Sequence, residues 1–247
     1  MLDPRIGIID ERLKDICNVI AVSSGKGGVG KSLVASTLAL SLTNKGCSVG
    51  LLDFDFTSPS THVILGTEGL RPKEDKGIVP PQVRGLKYMS IVHYSGKHAS
   101  PLRGADISNA LVELLSVTRW GKLDFLVIDM PPGIGDVTLD IVRLIKNIKF
   151  LIVTTPSRLA LETVKKLVSL LKELKIPVIG VVENMKTDKS KSIRQEVENE
   201  GITFLGEIPF DTNIEDSIGN VDKLWETVFA EKVDEIASKI GALNTNS

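Results

Sequence analysis

The chain has 247 residues, with 30 Lys and Arg against 31 Asp and Glu, a formal charge of −1 and a pI near 6.3. That balance argues against a surface coated in basic residues for nucleic acid, and 42% hydrophobic with 25% charged residues is the composition of a globular chain able to bury a large core. No apolar run approaches bilayer-spanning length, and the start, MLDPRIGIIDERLKD, reads as neither a signal nor a transit peptide, so a cytoplasmic protein without stable membrane insertion is expected.

In chain order, residues 1–17 read as an N-terminal extension, followed by an apolar run at 19–22 and a glycine-rich loop. A helix is expected over 31–45 and an apolar run over 49–52. Residues 67–85, with Pro72, Pro80 and Pro81, read as a surface excursion leading to a strand near 86–92. Further apolar runs follow at 125–128, 150–153, 178–182 and 204–208. Short Val- and Ile-rich runs of this kind are what strands buried on both faces look like. Between two of them, Leu159, Val164, Leu167, Val168 and Leu171 recur at helical spacing, with Lys165, Lys166, Lys172 and Glu173 opposite. Residues 186–191 (KTDKSK) read as a polar loop or helix entry, 222–240 as one closing helix, and 241–247 as a flexible tail. The alternation implies a three-layer α/β fold, a mostly parallel sheet with helices on both faces. No linker divides the chain, so one domain over 1–247 is expected.

The loop SSGKGGVGKS carries Gly25, Gly30, Lys31 and Ser32 in the phosphate-loop pattern G-x-x-x-x-G-K-[ST]. Backbone N–H groups must turn inward around an anion there, and glycine permits both the dihedrals and the close approach. Residues Gly25, Lys26, Gly27, Gly28, Val29, Gly30, Lys31, Ser32 and Leu33 are thus the expected nucleotide cradle, with Lys31 as counter-charge and the Ser32 hydroxyl for Mg²⁺.

Acidic residues follow at two strand ends. Asp53 and Asp55, two apart in LLDFDF, point to one side of an extended segment. One suits the Mg²⁺ shell and the other the attacking water, although spacing alone equally allows a solvated turn pair. Asp129 closes the run FLVID and is followed by Pro131, Pro132 and Gly133, a stiff turn with one flexible joint. A strand-end acid in that place is the Walker B arrangement.

The loop K-G-G-x-G-K-S resembles the deviant Walker A loop of the MinD/ParA/nitrogenase iron-protein superfamily. The segments DFDFTSPS, GLKYMSI, RGADISNALVELL, TRWGKLDFLVIDMPPGIGD, FLIVTTPSRLALETVKK, IPVIGVVENM and LGEIPFD resemble the Mrp/ApbC-type P-loop ATPases, a branch of it, over almost the whole chain. The resemblance implies an ATPase that binds ATP/ADP with Mg²⁺, works as a homodimer with nucleotide at the interface, and hydrolyses slowly. Carried over, Lys26 reaches the partner's nucleotide, Lys31 and Ser32 hold phosphate and Mg²⁺, Asp55 positions water, and Asp53 and Asp129 support the metal. Asn184 contacts adenine, and Pro209 and Asp211 flank the base.

The family's usual role is carriage or assembly of iron–sulfur clusters, through a C-x-x-C after the E-N-M segment. Here that stretch reads ENMKTDKSKSIRQE, and the chain's two cysteines are Cys17 and Cys47, expected before the first strand and after the first helix of the core. Thiolates are the standard cluster ligands, so a cluster at the family site is not expected. Cys17 and Cys47 lack metal-ligand spacing, and His62, His93 and His98 read as packing or solvent-facing side chains, with His93 and His98 in a loop. Two alternatives stand beside an ATPase serving cluster assembly and its client proteins. One is a MinD/ParA-like positioning ATPase, the other a nucleotide-switched protein-binding module. The closing segment carries mixed charges, not the Lys/Arg-rich face of a membrane-surface helix.

Overall fold

The computed structural model describes residues 3–56, 58–95 and 105–244. Eight strands form one sheet: β1 (Ile16–Ser23), β2 (Val49–Asp53), β3 (Gln82–Val83), β4 (Leu86–Ser90), β5 (Leu123–Asp129), β6 (Ile148–Thr154), β7 (Val178–Lys186) and β8 (Phe204–Pro209). Their order is β8-β7-β6-β1-β5-β2-β4-β3. All neighbours run parallel except the short edge pair β3 and β4. The longer helices are α1 (Arg5–Leu13), α2 (Lys31–Asn44), α3 (Ala105–Val117), α4 (Asp136–Leu144), α5 (Arg158–Glu173) and α6 (Val228–Asn244).

The strands alternate their side chains between two apolar layers, as the pleat demands. From β1, Val19 and Ala21 enter the layer under α1, α3, α4 and α5, with Ile9, Leu111, Ile141 and Leu167. Ile20 and Val22 enter the opposite layer under α2 and α6, with Leu38, Ala39, Val233 and Ile236. Helices thus cover both faces, the three-layer arrangement expected. α5 buries Val164, Leu167, Val168 and Leu171, the stripe read from its periodicity. α2 is buried nearly all round, lying between the sheet and α6.

Several boundaries differ from expectation. Cys17 lies inside β1, whose pairing with β5 begins at Ile16↔Leu123, so the segment before the sheet is shorter than residues 1–17. Much of that segment is α1, which packs on α3 and donates Arg12 Nε to the Ser116 carbonyl at 3.0 Å. The closing helix is two helices, Val221–Trp225 and α6. They separate because Asn220 Oδ1 accepts from the amides of Asp222 and Lys223, while Thr227 Oγ1 accepts from Ala230 N at 3.1 Å. Each caps its own helix start. The excursion over 67–85 contains a two-residue hairpin, Lys73–Glu74 with Ile78–Val79, and β3. His93 sits in a short helix, Val92–Ser95, and not in a loop; His98 lies outside the described residues. α6 runs on to Asn244, and 245–247 lie outside the described residues. Among the described residues no helix is long and apolar enough to cross a membrane.

Candidate nucleotide site

The glycine-rich loop joins the end of β1, at the sheet's centre, to the start of α2. Gly28 (φ 76°) and Gly30 (φ 78°) occupy the left-handed region, where a side chain is disfavoured. Gly25 is required for space: a Cβ there would stand 2.2 Å from Thr163 Oγ1 on α5. The loop surrounds an open cavity of about 270 Å³. Residues 27–33 all line it, together with Ser24, Asp55, Ser60, Ile64 and Pro132. The first amides of α2 have no partners within the helix and, with the helix dipole, favour an anion. Gly25 and Lys26 flank the cavity without lining it, and the Lys26 side chain is exposed. The turn after β5 is tied to the loop, because Gly133 N donates to Ser24 O at 2.9 Å.

Three carboxylates meet at this edge because β2 and β5 are neighbours in register, Asp53 opposite Asp129. Asp129 is fully buried and accepts from Lys31 Nζ at 2.5 Å through Oδ1. Its Oδ2 is buried and makes no hydrogen bond among the described residues, although the Ser32 hydroxyl stands close enough to favour the ionised form. Ser32 Oγ also lies 3.3 Å from Lys31 Nζ. Burial raises the Asp129 carboxyl above its ordinary range, opposed by Lys31. Asp53, also fully buried, accepts from Asp55 N at 2.9 Å and from Thr61 Oγ1 at 2.5 Å. Thr61 is bonded in turn to Tyr88 Oη at 2.9 Å. Burial, and then the charge of Asp129, push Asp53 up to about 7. Asp55 is the most accessible of the three, reaching the cavity wall while accepting from Ser58 N at 3.0 Å.

Asn184 comes from β7, two strands from β1, and its Nδ2 donates to Val29 O at 2.9 Å. Pro209 ends β8, and Asp211 accepts from the amides of Asn213 and Phe229. Neither lines the cavity. Ser24, Ser60, Thr61, Ile64 and Thr163 were not anticipated. Ser60, Thr61 and Ile64 follow Asp55 closely in sequence, and proximity to an acidic strand end was the available signal; Thr163, on a remote helix, had none.

Cys17 is exposed and Cys47 half-buried. Cys17 lies at the start of β1 and Cys47 just before β2, the end of these parallel strands opposite the phosphate loop. Among the described residues no group of three or more His, Cys, Asp or Glu side chains is placed to hold a metal ion.

A sequence profile described as ParA, NUBPL iron-transfer P-loop NTPase, matches residues 15–243. The chain belongs to this family of P-loop NTPases. It is 40% identical over 220 residues to the iron-sulfur cluster carrier protein of Aquifex aeolicus, covering 83% of this chain and 60% of that one. It is 45% identical over 177 residues to the iron-sulfur cluster carrier protein of Pseudomonas fragi, covering 70% and 62%. The chain therefore spans about three fifths of the length of these relatives. Among solved structures, a nucleotide-binding protein of Archaeoglobus fulgidus, in complex with ADP, superposes with a TM-score of 0.76 at 33% identity, covering 90% of this chain and 93% of that one.

Proposed function

We propose that the chain is a nucleotide-switched ATPase of the iron–sulfur carrier type. It binds Mg·ATP in the cavity above Lys31, hydrolyses it slowly, and does so as a homodimer. The observation that carries this reading is the arrangement of Lys31, Asp129 and the glycine loop. A buried lysine held by a buried carboxylate beside a glycine-rich loop that opens a helix is a charge reserve for a phosphate chain. When phosphate arrives, Lys31 can turn to it. Asp129, Asp53 and the Ser32 hydroxyl are then the residues to hold Mg²⁺. Their oxygen donors suit a hard cation, and the unpartnered Asp129 Oδ2 has capacity for its hydration shell. The metal, when bound, neutralises charge on the transferring phosphoryl group. Asp55, at the cavity wall, orients the attacking water. The exposed Lys26 supplies positive charge to the nucleotide of a second copy, which makes turnover depend on dimerisation. Asn184, Pro209 and Asp211 are proposed at the base side.

The cargo reading rests on the family and on the names of its relatives. With Cys17 and Cys47 at the far end of the sheet, we infer that this chain drives cluster assembly through a client protein and not through thiolates after Met185. The test has two arms. Calorimetry with Mg·ATP should give saturable binding in the wild type and loss of most affinity in Lys31→Ala; equal affinity in both rejects the site. Anaerobic reconstitution with iron and sulfide should leave no stoichiometric cluster on the chain; stable binding rejects the client route.

A further inference from the structure

We propose that Asn184 is a positioning residue for the phosphate loop: it locks the Val29–Gly30 peptide so that the Gly30 N–H faces the phosphate cavity. The inference rests on the nucleotide-binding reading above and gives that site a part whose side chain acts on the loop itself.

The geometry is direct. Asn184 is 3% exposed, and its Nδ2 donates to Val29 O at 2.9 Å. The chain contains no cis peptide among its described residues. In a trans peptide the carbonyl and the following N–H point in opposite directions. Drawing the Val29 carbonyl toward β7 therefore turns the Gly30 N–H away from β7. Val29, Gly30 and Lys31 all line the cavity, and Gly30 N makes no backbone hydrogen bond among the described residues, which leaves it to an anion there. The Asn184 amide also fills the space where a Gly30 side chain would be, since a Cβ at Gly30 would stand 2.3 Å from Nδ2. Glycine is the residue most able to turn its flanking peptide over. Gly28 and Gly30 both sit at positive φ, so the backbone here imposes little preference of its own. Without a donor on Val29 O, a flip would present a carbonyl to the phosphate in place of an N–H. Elsewhere the loop is pinned at its first residues, by Ser24 Oγ to Lys26 O and by Gly133 N to Ser24 O. Asn184 is the matching hold on its last turn.

The role can be separated from recognition of the base, because it acts on phosphate alone. The variant is Asn184→Leu, which keeps the branching of the side chain but lacks the donor. The probes are ATP and inorganic tripolyphosphate, each with Mg²⁺, measured by calorimetry on the full chain. The expected result is a loss of about tenfold or more for tripolyphosphate, about 1.4 kcal/mol per decade, and a loss at least as large for ATP, which also presents a base to Asn184. In ¹⁵N-labelled protein, the Gly30 amide should shift on adding tripolyphosphate to wild type and not to the variant, while Lys31 and Ser32 amides shift in both. A loss confined to ATP would overturn the inference in favour of base recognition, and unchanged affinity for both probes would overturn it outright. So would wild-type protein that binds ATP but not tripolyphosphate. If the wild type binds neither probe, the nucleotide reading itself falls. Should the variant not fold, the wild type decides: absence of a Gly30 shift with tripolyphosphate alone overturns the assignment.

Discussion

Removing Lys31 should destabilise the nucleotide-free protein, and the defect should depend on pH. Lys31 and Asp129 are buried partners 2.5 Å apart. At that distance and an effective dielectric constant of about 20, their attraction is about 7 kcal/mol before desolvation is charged against it. Breaking a buried pair by deleting one partner typically costs about 3–5 kcal/mol, because a carboxylate is left uncompensated. Burial already raises the Asp129 pKa, with Lys31 opposing the rise, so Lys31→Ala pushes it further up. A carboxyl raised in the folded state stabilises the fold below its unfolded pKa and loses that contribution as pH rises through the folded value. The Lys31→Ala defect should therefore be about 3–5 kcal/mol at pH 8 and smaller at pH 5, because lowering the pH favours the protonated, uncharged Asp129. Adding Asp129→Asn to the Lys31→Ala chain should restore much of the loss at pH 8. Urea denaturation of the three proteins at both pH values measures this. A single variant as stable as wild type at pH 8, or a defect that ignores pH, would refute the account of a charged buried pair.

Three other outcomes are expected. Gly25→Ala should weaken Mg·ATP binding and cost about 1–3 kcal/mol of stability, as overpacking does; its Cβ would meet the Thr163 backbone carbon at 2.8 Å as well as its side chain, so Thr163→Ala should not rescue it. Thermal melts of the single and double variants decide the point, and full rescue would contradict the packing described. Lys26→Gln should bind ATP normally yet lose the rise of specific activity with protein concentration; turnover at the wild-type rate would remove Lys26 from the cross-dimer role. Asp53, raised to about 7, should make the metal-free and nucleotide-free protein less stable as pH climbs from about 4 through 7. Asp53→Asn should flatten that slope in pH-dependent melts, and an unchanged slope would assign it to other groups.

The central strands were legible because they are apolar on both faces, whereas 204–208 carries Gly206 and Glu207 and gave a weaker run. The runs at 49–52 and 150–153 need no partner to declare themselves, and only their ends moved by a residue or two. The closing segment was misread because apolar spacing continues across Glu226 and Thr227, while the break comes from a hydroxyl cap that periodicity does not register. The histidines were read by spacing, and spacing did not reveal the short helix that holds His93.

The glycine-rich loop, Lys31 and the strand-end acid Asp129 stand out on the linear chain, while spacing alone leaves Asp53 and Asp55 open between a site and a solvated turn. A loop of contiguous residues around an anion is a local problem, solved by dihedral freedom and the helix start that follows. Tertiary structure alone decided which groups those residues meet. Lys31 meets Asp129 across 98 positions, Asn184 meets Val29 across 155, and Thr163 closes on Gly25. Parallel strands are joined by long crossovers, so neighbours in the sheet are remote in sequence. Their meeting depends on strand order and register, which no short window of residues encodes.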